Sequence, residues 1–330
     1  MTDVEKLIRE KGYIDLEAPA GDELIHEIER MKKEKKAVIL AHYYQRPEVQ
    51  DIADHRGDSL ALSRLAADTD AEIILFAGVH FMAETAKILS PEKKVLLPDL
   101  RAGCSMADSC PADKFETFIR ENPGRTVVTY VNTTARVKTL SDIICTSGNA
   151  VRVVESLPEG EKIIFAPDRN LGEYVREKTG RDILVWNGSC HVHERFSAEK
   201  IQEIKKKYPE ARIIVHPECE RDVRDLADMV GSTSQLINYT RKDGGKTYIV
   251  ATEPGVIHEM KKFNPEKRYI PAPPAKKAAC DCSECEYMKM ITLSKIYNTL
   301  KYELPEIKMD RETIEKAAVP IRKMLEITNG

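Results

Sequence analysis

The chain has no run of about 18 apolar residues, so none of it is expected to span a bilayer. It has no stripe of one charge sign either. Its 51 basic and 54 acidic residues are intermixed, leaving a net charge of −3, which argues against nucleic acid or an anionic membrane surface as a partner. The first residues, MTDVEKLIREKGYIDLE, form a charged amphipathic pattern without the apolar core of a signal peptide, and a cytoplasmic location is expected. Two cysteine patterns are also missing. No second C-x-x-C pair accompanies the Cys280-Asp281-Cys282-Ser283-Glu284-Cys285 cluster, so a self-contained zinc clip is incomplete. No compact C-x-x-x-C-x-x-C run of the radical-generating kind occurs. In a reducing compartment the eight cysteines (104, 110, 145, 190, 219, 280, 282 and 285) therefore suit metal binding or catalysis better than disulfides.

What is present is repetition. The chain has 330 residues, 42% of them hydrophobic, enough for two or three domains of about 100 residues each. Apolar strands at Ala37–Ala41, Thr126–Val131 and Arg212–Val215 each end in polar tips: His42-Tyr43-Tyr44-Gln45, Asn132-Thr133-Thr134 and His216-Pro217-Glu218-Cys219. Each tip is followed, 16 or 17 residues on, by a Ser-bearing helix opening at Ser59, Ser147 or Ser232-Thr233. Strand, helix and strand patterns then lead to a cysteine loop. The tip-to-cysteine spacings are 62, 60 and 69 residues, reaching Cys104, Cys190 and Cys285. A period of roughly 90 residues with matching landmarks predicts three copies of one small α/β unit. Alternating strands and helices predict parallel sheets covered by helices on both faces, a three-layer αβα domain. The expected division is 1–107 plus 286–330, then 108–195, then 196–285, with pseudo-threefold packing that gathers the strand tips and cysteine loops at one axis. Residues 286–330 are expected to form two helices, the second interrupted at Pro320, packing on the first unit.

Three cysteines, one per copy, suit a [4Fe–4S] cluster with one iron left open as a Lewis acid. Cys145 and Cys219 read as buried small hydrophobes; Cys110, Cys280 and Cys282 have no assigned role. The Ser-bearing openings read as N-caps, and together as a site for carboxylate or phosphate. His42, Tyr44, Tyr130, Asn132, His216 and Glu218 offer proton-transfer and hydrogen-bonding groups, with Glu218 a candidate general base. His191 and His193 follow Cys190 closely enough to line the same pocket or orient the cluster.

These segments resemble a known family. Ala41–Gln45, Gly57–Leu60, Phe76–Glu84, Tyr130–Thr133, Cys145–Ser147, His216–Cys219 and Gly231–Thr233 are similar, in order and over essentially the whole chain, to the signature segments of quinolinate synthases. That resemblance implies three α/β domains around a [4Fe–4S] cluster held by Cys104, Cys190 and Cys285. It implies condensation of iminoaspartate with dihydroxyacetone phosphate to quinolinate, phosphate and water, in NAD biosynthesis. It also implies a functional link to an aspartate oxidase or aspartate dehydrogenase. Glu218, Tyr130, Tyr44 and His193 would be catalytic. His42, Ser59, Asn132, Ser147, His216, Ser232 and Thr233 would bind substrate together with Tyr130, His193 and Glu218. Glu286 departs from the pattern, since many relatives have proline after the last cysteine. Another [4Fe–4S]-dependent hydro-lyase, or an iron–sulfur redox sensor, is the rival reading.

Overall fold

The computed structural model describes residues 2–275 and 283–329. Cys280 and Cys282 lie outside the described residues. Two compact units are resolved. The first comprises residues up to Cys104 together with Thr134–Thr139 and Glu286–Ala318; the second comprises Ser105–Thr133, Leu140–Cys285 and the segment from Val319 on.

The first unit contains one sheet, built from β1 (Ala37–His42), β2 (His55–Gly57), β3 (Ile73–Ala77) and β4 (Lys94–Leu96), in the order β2-β1-β3-β4. The second contains two sheets. One holds β5 (Thr126–Tyr130), β6 (Ile143–Cys145), β7 (Ile163–Ala166) and β8 (Ile183–Val185), ordered β6-β5-β7-β8. The other holds β9 (Arg212–Val215), β10 (Met229–Val230), β11 (Thr247–Ala251) and β12 (Arg268–Pro271), ordered β10-β9-β11-β12. All pairings are parallel, and the strand permutation is the same each time. Ile39, Leu40, Val128, Ile144, Ile164, Ile214 and Ile249 are fully buried, as expected for strands covered by helices on both faces. This is the expected three-layer α/β repeat.

Each copy carries a fourth strand that the sequence pattern does not reveal: β2, β6 and β10. They are two or three residues long and lie at a sheet edge, too short to show a period. An aspartate registers each of them. Asp54, Asp142 and Asp228 accept the backbone N–H of Ile39, Val127 and Ile213 at 2.8, 2.8 and 2.7 Å, always 15 residues back in sequence. Each also donates its own N–H to that residue's carbonyl, at 3.1, 2.9 and 2.8 Å. The carboxylate thus pairs a strand N–H that the short edge strand leaves over. The register makes His42, Tyr130 and His216 equivalent tips, facing Gly57, Cys145 and Gly231.

The C-terminal expectation needs correcting. Three helices follow Cys285, at Glu286–Lys289, Leu293–Tyr302 and Arg311–Asn329, and the last runs on through Pro320. The Leu293–Tyr302 helix packs on the Gly21–Glu34 helix in the first unit, as expected. From Val319 on the chain belongs to the second unit, where Thr328 accepts from Asn149 Nδ2 at 2.9 Å.

Candidate functional site

In the first unit, His42 ends β1, is 4% exposed, and accepts the Tyr44 backbone N–H on Nδ1 at 3.1 Å. The two rings meet edge-on at 4.5 Å, so Tyr44 is held by the tip it follows. Ser59 is the first residue of its helix but not its cap. Asp58 caps it, accepting from the Ala61 N–H at 3.1 Å, which corrects the N-cap reading and leaves the Ser59 hydroxyl out of that bond. Cys104 lies in the loop after β4 and is half-buried. The same unit buries Lys138 completely; burial lowers its ammonium to about 8, against opposing pulls from Glu84 and Cys104.

The second unit brings six of the predicted residues into one network. Tyr130 Oη donates to Glu218 Oε1 at 2.5 Å, and His193 Nδ1 reaches Glu218 Oε2 at 2.9 Å. His193 Nδ1 also lies 3.2 Å from Cys190 Sγ, and its Nε2 is 3.0 Å from Thr252 Oγ1. His193 thus bridges the carboxylate and the sulfur through Nδ1 and meets Thr252 through Nε2. The His193 and His216 rings lie 4.7 Å apart. The Glu218 N–H donates to His216 Nδ1 at 3.4 Å, which leaves Nε2–H to donate to Ser147 Oγ at 3.2 Å. Tyr130, Glu218, His193 and His216 are each at most 4% exposed. Burial alone would push the Glu218 carboxyl up, but the two histidines beside it hold it well below the usual range, at about 2.

Ser232 caps the Thr233–Lys242 helix in a capping box with Gln235, so the cap reading holds there. Thr233 is that helix's first residue. Ser147 does not cap the helix at Ala150–Glu155, whose N-cap is Asn149. The Ser147 and Ser232 turns adjoin, because a Cβ at Gly148 would meet Ser232 Oγ at 3.2 Å. Asn132 presents a buried Oδ1 with no hydrogen-bond partner among the described residues, an acceptor suited to a ligand hydroxyl or N–H.

Cys104, Cys190 and Cys285 occupy one topological position, the loop after the fourth strand in chain order of each sheet. All three are half-buried. The other described cysteines, Cys110, Cys145 and Cys219, are fully buried. Burial pushes the Cys110 thiol up to about 12 and raises Cys145 and Cys219 as well, which disfavours the thiolate a metal needs. Cys190, His193 and Glu218 have ligand atoms within 4.8 Å of one another and could hold a single ion. Glu218 is already engaged by Tyr130 and His193, so a thiolate-held group fits the donor set better.

Four functional residues were not singled out from the sequence: Asp168, Asn170, Thr252 and Glu253. They follow the tips of β7 and β11, the third strand of their copies. Asn170 Nδ2 donates to the Glu218 carbonyl at 3.1 Å, and Thr252 meets His193. Applying the strand-tip argument to the third strand as well as the first would have found them. Among the described residues no helix is long and apolar enough to cross a membrane.

The model of the NadA family, described as quinolinate synthetase A protein, matches residues 26–326. A curated quinolinate synthase from a Synechocystis strain is 56% identical over 303 residues, covering 92% of this chain and 95% of its own. One from Rippkaea orientalis is 57% identical over 93% of this chain and 94% of its own. Another, from Thermosynechococcus vestitus, is 53% identical over 94% and 97%.

Proposed function

Because the chain belongs to the quinolinate synthetase A family and is an enzyme that makes quinolinate, we propose that it condenses iminoaspartate with dihydroxyacetone phosphate, releasing phosphate and water, in the cytoplasmic synthesis of NAD. The division 1–107 plus 286–330, 108–195 and 196–285 is the domain scheme we propose, one sheet to each. An aspartate oxidase or aspartate dehydrogenase would supply the imine.

The observation that carries the chemistry is the Glu218 carboxylate, met by Tyr130 and His193 beside Cys190. A dehydrating ring closure needs protons taken from carbon or nitrogen and delivered to departing oxygen. Glu218, held ionised, is the base. Tyr130 Oη, already donating to it, is the group through which a proton passes to or from substrate. His193, with Nδ1 on the other carboxylate oxygen, and His216 beside it orient the base and favour its ionised form. Asn132 Oδ1, Ser147, Ser232 and Thr233 hold polar groups of the substrate. By the family resemblance we assign His42, Tyr44 and Ser59 to substrate binding as well, with Tyr44 excluding water. Cys104, Cys190 and Cys285 are the thiolates we assign to a [4Fe–4S] cluster. When bound, it supplies an electron-poor iron that polarises a carbon–oxygen or carbon–nitrogen bond.

An anaerobic assay tests this. Reconstituted protein given oxaloacetate, ammonia and dihydroxyacetone phosphate is expected to form quinolinate. Absence of product from protein of full iron content would refute the reading. Cys285→Ser is expected to abolish iron uptake and Cys219→Ser to leave it intact; equal loss in both would show the ligand choice to be wrong.

A further inference from the structure

Two buried carboxyl groups stand where the Cys190 and Cys285 loops meet the third strands of their copies. Asp168 follows β7 by two residues, and Glu253 follows β11 by two residues. Both are fully buried. Glu253 Oε1 accepts the Cys285 backbone N–H at 3.4 Å, while Oε2 takes the Gly255 N–H at 2.7 Å. Asp168 Oδ1 takes the Leu171 N–H at 2.6 Å, while its Oδ2 is buried without a hydrogen-bond partner among the described residues; backbone holds the Cys190 loop there, the Arg169 N–H donating to the Gly188 carbonyl at 2.8 Å. The same tips reach the proton-transfer residues: Asn170 holds the Glu218 carbonyl, and Thr252 holds the His193 ring. Each third-strand tip therefore fastens one cysteine loop and one side of the network. The first copy has Val79 at the matching position and the same backbone bond as the second, the His80 N–H donating to the Ala102 carbonyl at 2.7 Å; in the third copy Pro254 has no N–H to give, and the Glu253 carboxylate serves instead.

We propose that Glu253 is a positioning residue for a cysteine ligand, fixing the Cys285 loop by accepting the cysteine's own backbone N–H. A ligand loop fixed before binding loses less freedom when a metal is bound, and partners outside the coordination shell commonly change metal affinity by about 10–100-fold. The proposal rests on the cluster assignment made above. It predicts that acceptor oxygens are what matter. Gln keeps one carbonyl oxygen for the two N–H groups that Glu253 accepts; Ala keeps none.

Iron per chain and the rate of iron release to a chelator are measured on the reconstituted protein and on E253A and E253Q. E253A is expected to release iron about 10–100-fold faster, with E253Q between it and the parent. Ser197→Ala removes a helix cap that carries no cysteine, the bond from the Lys200 N–H at 3.2 Å, and is expected to leave release unchanged. A parental release rate in E253A would overturn the proposal. Should E253A fail to fold, hydrogen exchange on the unsubstituted protein decides: slow exchange at the Cys285 amide supports the hold, and exchange at open-loop rates overturns it. If the unsubstituted protein takes up no iron, the cluster assignment fails, while the exchange measurement still tests the hold by itself.

Discussion

The first sheet and the two sheets of the second unit share strand order, parallel register and the aspartate that pins each edge strand, yet they use buried acids differently. In the first unit Asp99 is fully buried between two cations, with Arg101 Nη2 at 3.1 Å and Lys295 Nζ at 2.6 Å. Burial alone would raise its carboxyl; Arg101 and Lys295 hold it below the ordinary value. In the second unit Glu218 is met by two histidines and a phenol, while Asp168 and Glu253 are met by backbone amides. An acid paired with permanent cations is fixed in one charge state. An acid facing imidazole and phenol can pass a proton on without leaving a buried charge unbalanced. One scaffold thus yields a carboxylate locked between cations in one place and a carboxylate facing imidazole and phenol in another, and the difference lies in the partners rather than in the carboxyl groups.

The sharpest way to break that contrast is to neutralise Glu218. Glu218→Gln keeps size and the contacts to Tyr130 and His193 but cannot accept a proton. Turnover is expected to fall about 10²- to 10⁴-fold, with iron content unchanged. Steady-state kinetics with iron analysis check this. Near-parental kcat in an iron-loaded variant would move the base elsewhere and dissolve the comparison. Tyr130→Phe, which removes the donor at 2.5 Å, is expected to follow in the same direction with a smaller loss.

Much of this was legible from residues alone, for physical reasons. β1, β5 and β9 are continuous apolar runs ending in polar residues, so both the strand and its tip declare themselves. The half-buried cysteines were found by their shared offset from those tips. What stayed hidden has no periodic signature. β2, β6 and β10 are too short, and the Asp54, Asp142 and Asp228 clamps look like ordinary loop aspartates until the strand N–H they accept is seen. Capping was misassigned at Ser59 because Asp58, one residue earlier, makes the bond instead. Asp168 and Glu253 were missed because a buried acid beside a proline or a threonine carries no motif; only the fold shows which amides it receives. The helix through Pro320 contradicts a propensity rule that packing overrides.

The clamps give a test of intermediate size. Asp142→Ala leaves the Val127 N–H without its acceptor, and a buried group left unpaired costs about 1–3 kcal/mol. Denaturant unfolding of the iron-free protein measures it. Asp54→Ala and Asp228→Ala are expected to cost similar amounts, because the bonds are equivalent in all three copies. A large cost in one copy and none in the others would show that the repeats do not share this device.

The smallest expected effect, and the one that sharpens the contrast from the structural side, concerns how Asp99 depends on pH. Its native carboxyl titrates below the ordinary aspartate value of about 3.9. By linkage, its stabilising contribution is present above that value and is lost as pH falls through the lower native one, because the unfolded chain takes up the proton first. Asp99→Asn removes the ionisable group while keeping a polar side chain between Arg101 and Lys295. The stability gap between the parent and the variant is therefore expected to be widest near neutral pH and to narrow as pH is lowered into the acid range. Unfolding curves of both iron-free proteins across that range read the gap directly. Turnover and KM are expected to be unaltered near neutral pH, because Asp99 is held by Lys295 and by the side chain and backbone N–H of Arg101, and lies outside the Glu218 network. A gap that stays constant with pH would mean the two cations do not hold the carboxylate ionised, and the distinction drawn between the fixed acid and the exchanging one would fail on its structural side.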